Sequence, residues 1–220
     1  MDRVPEPELM LGVEQALAYA YADFAEPHSR FVTLLKERFP NLPSSGRVLD
    51  LGSGPGDISC RLARAFPAWK IDAVDGSPAM LELGRRRVVE AGLTSRVQFH
   101  ELILPVDKLP HDSYVLVFSN SLLHHLRDPM VLWSTVRRQQ PATDVFVMDL
   151  LRPSSQSETD ALVDQYAKDE PEILQTDFFN SLLAAYETVE VESQLKSVDL
   201  GHLNLEVVSD RHFIVWGRIV

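Results

Sequence analysis

Arg47-Val48-Leu49-Asp50-Leu51-Gly52-Ser53-Gly54-Pro55-Gly56-Asp57 reads as a buried strand that runs into a glycine-dense turn and out into a helix. Val48, Leu49 and Leu51 are apolar, as a strand inside a parallel sheet requires. Glycines alternate at 52, 54 and 56, so the backbone can take positive φ and lie close against a ligand. Asp57 is placed to cap the following helix, where Ile58, Leu62, Ala65 and Phe66 recur at helical spacing. The spacing separates this loop from a dinucleotide fingerprint. In G-x-G-x-x-G counted from Gly52, the last glycine falls where Asp57 stands. A carboxylate there repels a pyrophosphate and suits a positively charged ligand without phosphate.

A second acid sits one strand further on. Lys70-Ile71-Asp72-Ala73-Val74 reads as the next strand and ends at Asp75-Gly76-Ser77-Pro78. A carboxylate at that strand end is placed to accept hydrogen bonds from ribose hydroxyls. Ser77 then caps a helix with Pro78 in its first position and Met80, Leu81 and Leu83 following. The acid-x-G-x-G-x-G run with Asp75 at the next junction resembles motif I of the class I S-adenosylmethionine (SAM)-dependent methyltransferases. The resemblance covers residues 45–150. It implies a three-layer α/β Rossmann-like fold whose seven-stranded sheet is mostly parallel with an antiparallel last strand. It also implies N-terminal helices, a helical insertion between strands five and six, SAM as cofactor, and S-adenosylhomocysteine as product. On this resemblance Asp50, Gly52, Ser53, Gly54 and Gly56 surround the methionine and ribose portions, and Asp57 faces the methionine part. Asp75 takes the ribose hydroxyls with Gly76 and Ser77 beside it, and Met80 lies near the adenine. One departure stands out. Many relatives carry an acid after the third strand for the adenine amino group, where this chain has Leu102, Ile103 and Leu104.

Composition narrows the function classes. The 220 residues suit one sizeable domain, and 45% hydrophobic with 24% charged residues is ordinary for a globular protein. A net charge of −11 leaves no basic footprint for nucleic acid and disfavours anionic membranes. The run Arg85-Arg86-Arg87 shares its helix with Glu82 and Glu90 and reads as a solvated face. The single cysteine, Cys60, permits no intramolecular disulfide and no cysteine metal site. No signal pattern or membrane-spanning run is visible, which points to the cytoplasm.

The chain divides into an N-terminal helical lid (1–44), a cofactor-binding core (45–150), a helical substrate-lid insertion (151–200) and a closing hairpin (201–220). Residues 1–7 read as frayed. Glu8 to Glu26 reads as a helix with Leu9, Leu11, Val13, Leu17, Ala20, Tyr21 and Phe24 on its apolar face, ended by Pro27. Ser29 caps a second helix, Arg30–Phe39. Tyr21 and His28 are candidate lid residues, with core packing for the tyrosine and solvent for the histidine as the plain alternatives. A third strand spans 96–103 and an irregular stretch spans 104–110. Tyr114–Phe118 is the fourth strand, apolar and buried on both faces. Met130–Gln140 is a helix, and Asp144–Met148 the fifth strand. Helices at 157–168, 177–186 and about 188–198 build the insertion. Strands at 203–208 and 212–219 close the chain.

Methyl transfer is an in-line displacement that needs the nucleophile held about 3 Å from the methyl carbon. The fourth strand delivers Ser119-Asn120-Ser121 and then His124 to the crevice at its carboxyl end, in the manner of the family's motif IV. Ser119 and Asn120 are cofactor candidates, and His124 and Asn120 are the catalytic candidates. His124 suits a proton acceptor near neutral pH, with helix packing as its alternative. Asn120 is open to positioning the substrate, the SAM amino group or the helix start. His125 stands about 100° round a helix and is expected to point elsewhere. His124, Asp149, Arg152 and Asn180 are the substrate candidates; Arg152 offers a carboxylate fork and equally an ion pair. A catechol-type metal-dependent enzyme is a further reading, with Asp149 and Asn120 as oxygen ligands; no acid–asparagine pair supports it, and no metal is expected. The expected acceptor is a small molecule with an oxygen, nitrogen or carbon nucleophile, and the expected state a monomer or homodimer. Rival readings are an aminopropyl-type transferase and a non-catalytic SAM-binding partner subunit.

Overall fold

A computed structural model describes residues 1–7, 9, 12–105 and 108–220. Seven strands form one sheet: β1 (Ser45–Leu51), β2 (Ala68–Asp75), β3 (Val97–Glu101), β4 (Leu116–Asn120), β5 (Asp144–Leu150), β6 (Asn204–Val207) and β7 (His212–Arg218). Their order is β3-β2-β1-β4-β5-β7-β6. β1 pairs in parallel with β2 on one side, Val48 opposite Ile71, and with β4 on the other, Val48 opposite Leu116. The chain order therefore reverses between β1 and β4, which opens a crevice beyond their carboxyl ends. β7 runs antiparallel between β5 and β6.

Helices cover both faces: α1 (Val13–Tyr21), α2 (Ala25–Arg38), α3 (Asp57–Ala65), α4 (Pro78–Glu90), α5 (Met130–Arg137), α6 (Gln156–Ala167), α7 (Glu172–Ala184) and α8 (Thr188–Ser197). Alternation along the strands sends Val48, Leu116, Phe118 and Phe146 to the face under α2 and α3, where Phe31 meets Phe146 edge-on at 4.9 Å. Leu49, Leu51, Val117 and Val147 point the other way, against Trp133 of α5 and Leu195 of α8. This two-sided burial explains the nearly unbroken apolar runs in the central strands.

The ends of the chain differ from the sequence-based expectation. The first helix is shorter, and Glu8 and Leu11 of the expected segment lie outside the described residues. Pro27 does not end a helix. It sits in the first turn of α2, where a missing N–H costs nothing because that amide has no intrahelical acceptor. Residues 1–7 are not frayed either. Arg3 donates to the carbonyls of Ala184, His124 and Leu126 at 2.5, 2.8 and 3.0 Å and lies 4.0 Å over the Tyr186 ring. Val4 N–H reaches Leu183 O at 3.0 Å. In the insertion, α7 starts at Glu172, so Asp177 is an interior helix residue and not a cap.

Gly56, not Asp57, occupies the N-cap of α3, at φ 74°. A Cβ built there would lie 2.5 Å from the Phe99 ring. Gly56→Ala should therefore cost about 1–3 kcal/mol through left-handed strain and overpacking. Urea unfolding reads this directly, and an unchanged midpoint would contradict the loop geometry.

Candidate active site

A cavity of about 230 Å³ opens beyond β1, β2 and β4. Asp50, Gly52, Ser53, Gly54, Asp57, Asp75, Gly76, Ser77, Met80 and Asn120 all line it, so most of the sequence-predicted cofactor residues are brought together. Asp75 closes β2 and ties the loop down: Oδ2 accepts from Gly54 N–H and Oδ1 from Ser77 N–H, both at 2.8 Å. Each carboxylate oxygen keeps a second lone pair for a ligand hydroxyl. Ser77 caps α4, accepting from Met80 N–H at 3.3 Å. Leu102, Ile103 and Leu104 line the same cavity where relatives carry an acid, and Leu102 N–H bonds Asp75 O.

The cavity fits SAM on two independent observations. A Cβ at Gly54 would meet nothing within 4 Å, so the loop leaves room directly above its backbone at φ 51°. Ser53 Oγ is buried with no hydrogen-bond partner, a polar atom waiting for one. Asp50 is 2% exposed and accepts from Ser59 Oγ at 2.7 Å. Burial pushes its carboxyl up to about 7, the Ser59 bond opposing this and Asp75 adding to it.

Asp57 faces the same cavity but is already engaged. His28 Nδ1, Arg61 Nε and Arg87 Nη1 lie 2.7, 2.5 and 3.1 Å from its carboxylate. Burial opposes its ionisation, yet the bonds from His28 and Arg61 hold its pKa well below the usual range. His28 is thereby a buried lining residue rather than a solvated one.

A second cavity of about 300 Å³ adjoins the first. Tyr19, Phe24, His28, Asn120, Ser121 and His125 line both. Its outer wall comes from the insertion and hairpin, with Tyr166, Leu174, Asp177, Phe178 and Arg211. Arg211 is stacked 3.3 Å over the Tyr166 ring. Asp177 accepts from Gln15 at 2.9 Å through Oδ1, while its buried Oδ2 has no partner.

His124 lines this second cavity on a short 3-10 helix, Leu123–His125. Its Nδ1 is 2.6 Å from Asp149 Oδ1. Burial depresses the imidazole, but Asp149 and then Glu6 more than reverse this, and its pKa is raised. His125 does not point elsewhere. The two rings lie 4.2 Å apart between centroids. Burial pushes His125 down to about 3.

Five candidates are placed differently by the structure. Tyr21 is 81% exposed and outside the cavities, while Tyr19 lines both. Residues two apart on a helix face opposite sides, so only one of the pair could roof the site. Ser119 is fully buried and gives its hydroxyl to Leu51 O at 2.7 Å. Asp149 is 1% exposed and spent on His124, Leu123 N–H and Leu150 N–H, so it holds His124 rather than substrate. Arg152 pairs with Glu187 and Glu190 at 3.0 and 3.1 Å, away from both cavities. Asn180 is exposed on the outside of α7. Sequence reasoning missed Tyr19, Tyr166, Arg211 and, above all, Glu6. No periodicity or motif marks Glu6; only the Arg3 anchor delivers it.

Residues 48–142 match a family described as a methyltransferase domain. The chain is 33% identical over 110 residues to the trans-aconitate 2-methyltransferase of Variovorax paradoxus, covering 49% of this chain and 39% of that protein. It is 36% identical over 72 residues to the ubiquinone/menaquinone biosynthesis C-methyltransferase UbiE of Citrifermentans bemidjiense, covering 32% and 30%. Residues 48–142 are thus similar to methyltransferase domains. The chain matches less than two fifths of the length of these curated relatives. The whole fold superposes on a SAM-dependent methyltransferase from Aquifex aeolicus with a TM-score of 0.69 at 18% identity, over 94% of this chain and 98% of that one. The plantazolicin methyltransferase BpumL, solved with SAH, superposes at 0.63 and 11% identity over 94% and 96%. SAM is the cofactor of this methyltransferase family. Among the described residues no helix is long and apolar enough to cross a membrane.

The raised carboxyl of Asp50 predicts a pH dependence of cofactor binding. Its carboxyl is neutral below about 7, so it counters positive charge only above that. A carboxyl raised above its unfolded value lowers folding stability as pH climbs toward 7, and a bound cation reverses that loss. SAM affinity of this methyltransferase should therefore rise by up to about tenfold per pH unit below 7 and level off above. Calorimetric titrations with SAM between pH 5.5 and 8.5, on wild type and Asp50→Asn, measure it; the variant should be flat.

Proposed function

We propose that this methyltransferase moves the methyl group of SAM to a small-molecule acceptor held in the second cavity, at an oxygen, nitrogen or carbon nucleophile. The observation that carries the reading is the wall common to both cavities. Asn120, Ser121 and His125 line the two chambers at the carboxyl end of β4, so a ligand in each would meet there. When bound, SAM supplies an electrophilic methyl group on a positively charged sulfur.

This chain contributes placement. The Asp75-anchored loop fixes the donor, and Tyr19, Phe24, Tyr166 and Phe178 enclose the acceptor in a mostly apolar chamber. Holding the two groups on one line at about 3 Å accounts for several kcal/mol of barrier. A cavity of about 300 Å³ lies at the small end of ligand sites and favours a compact acceptor over a polymer. The matched relatives named for trans-aconitate and for ubiquinone/menaquinone act on small molecules, which supports the same class.

His124 belongs to the acceptor side alone, because it lines the second cavity and not the first. His124→Ala should lower turnover by about 100-fold, within the range for removing a group that handles the acceptor's proton, while SAM affinity changes less than about twofold. The assay is release of label from methyl-labelled SAM across a panel of small carboxylates, phenols, amines and quinols, paired with calorimetry. Methyl transfer to none of them despite tight SAM binding would overturn the small-acceptor reading.

A further inference from the structure

Glu6 comes together with His124 and His125, and the two histidines line the second cavity. One ligand atom from each lies within 4.8 Å of the other two. His125 Nδ1 is 3.1 Å and His124 Nε2 3.6 Å from Glu6 Oε1. These separations are close to the ~3 Å edge expected between ligands about 2.1 Å from one ion. We propose that this triad is a binding site for a divalent first-row transition-metal ion, which presents its open coordination positions to an oxygen of the acceptor.

The hydrogen bonding favours an ion over a simple network. His125 Nδ1 is buried and has no hydrogen-bond partner, although it stands 3.1 Å from a carboxylate oxygen. The ring nitrogen is therefore not aligned to share a proton with Glu6. A bare nitrogen facing a carboxylate repels it unless a cation lies between them. His124 is set up as a ligand in the same way. Asp149 Oδ1 lies 2.6 Å from its Nδ1, which orients the ring with Nε2 turned toward Glu6. A carboxylate behind a ligating imidazole is the usual outer support of such sites. Glu6 is held in turn by Ser181 Oγ at 3.0 Å and by the Arg3 anchor.

Two imidazoles and one carboxylate suit zinc, manganese, iron(II) or cobalt(II) rather than magnesium or calcium. Three protein ligands on one side leave the remaining positions open to the cavity that also holds Asn120 and Ser121. A hydroxyl or carboxylate oxygen bound there would lose its proton more readily and be held beside the methyl donor. The inference rests on the acceptor-cavity reading for its role, but not for its existence.

The test uses the full chain without a histidine tag, stripped with a chelator and titrated with cobalt(II) alone. Calorimetry should give one ion per chain, with the visible absorption of an imidazole-ligated cobalt centre. Glu6→Gln and His125→Ala should each weaken binding by about tenfold or more, and Asp149→Asn by about 10–100-fold. The exposed His202 lies away from the cluster, and His202→Ala should change nothing. SAM affinity of Glu6→Gln and Asp149→Asn, measured on the same samples, should stay within about twofold, and circular dichroism shows that all three variants fold. No saturable cobalt binding at millimolar ion, or binding unaltered by both Glu6→Gln and His125→Ala, would sink the metal site while leaving methyl transfer intact. Cobalt binding without SAM binding would instead support the metal site and sink the transfer reading.

Discussion

Asp75→Ala is expected to weaken SAM and S-adenosylhomocysteine alike by about 100-fold or more. The side chain has two tasks that a methyl group cannot perform. Its oxygens hold Gly54 N–H and Ser77 N–H at 2.8 Å, so they set the glycine loop against the start of α4. Their free lone pairs are aimed at the cavity, where ribose hydroxyls would donate. Hydrogen bonds to a charged group contribute about 1.5–3 kcal/mol each, and two lost to the ligand already exceed the ~2.7 kcal/mol of a 100-fold change. Asp75→Asn should fall between, because its single carbonyl oxygen can serve only one of the two backbone donors while its amide offers protons where acceptors are needed. Calorimetry with both ligands decides the matter. Equal affinity for Asp75→Ala and wild type would remove the ribose assignment.

Arg3→Ala is expected to lower stability by about 3 kcal/mol and to abolish most turnover while sparing SAM affinity. The guanidinium joins three parts of the chain, donating to Ala184 of α7 and to His124 and Leu126 around the 3-10 turn, with its face on Tyr186. Without it three carbonyls lose a charged donor, and each such bond contributes about 1.5–3 kcal/mol before water replaces part of it. The expected fall in melting temperature is roughly 6–12 °C for a domain of this size. Turnover falls because Glu6 and the His124 turn are positioned through this anchor. Arg3→Lys should recover little, since one ammonium cannot reproduce the planar fork. Urea unfolding, SAM calorimetry and labelled-methyl release separate the three effects. A variant that unfolds like wild type would show that the anchor carries no strain-bearing role.

The cofactor half was legible because its chemistry is local. Asp50, Gly52, Gly54, Gly56 and Asp75 act through strand-to-helix turns whose residues are neighbours in the chain, and the structure brings them to one cavity as their spacing implies. The sheet was legible for the same reason, since apolar runs in β1, β4 and β5 need both faces covered. The acceptor half was not. Glu6 meets His124 across more than a hundred residues, and no periodic signal links them. Tyr21 was read onto the apolar face of the first helix, but it is 81% exposed, and only the packing of α1 turns Tyr19 inward instead. Asp149 and Arg152 looked like substrate groups at a strand end. Their partners, His124 and the Glu187–Glu190 pair, come from segments whose approach is set by tertiary folding. His125 failed on a finer point, because rotation about the helix axis alone does not say where a side chain's own rotamer carries its ring, and here it lies beside that of His124.

Tyr19, Phe24 and His28 roof both chambers from one short stretch spanning α1 and the start of α2. A displacement of that one stretch would therefore reshape the donor and acceptor chambers together, so a substitution there is expected to alter both sites at once.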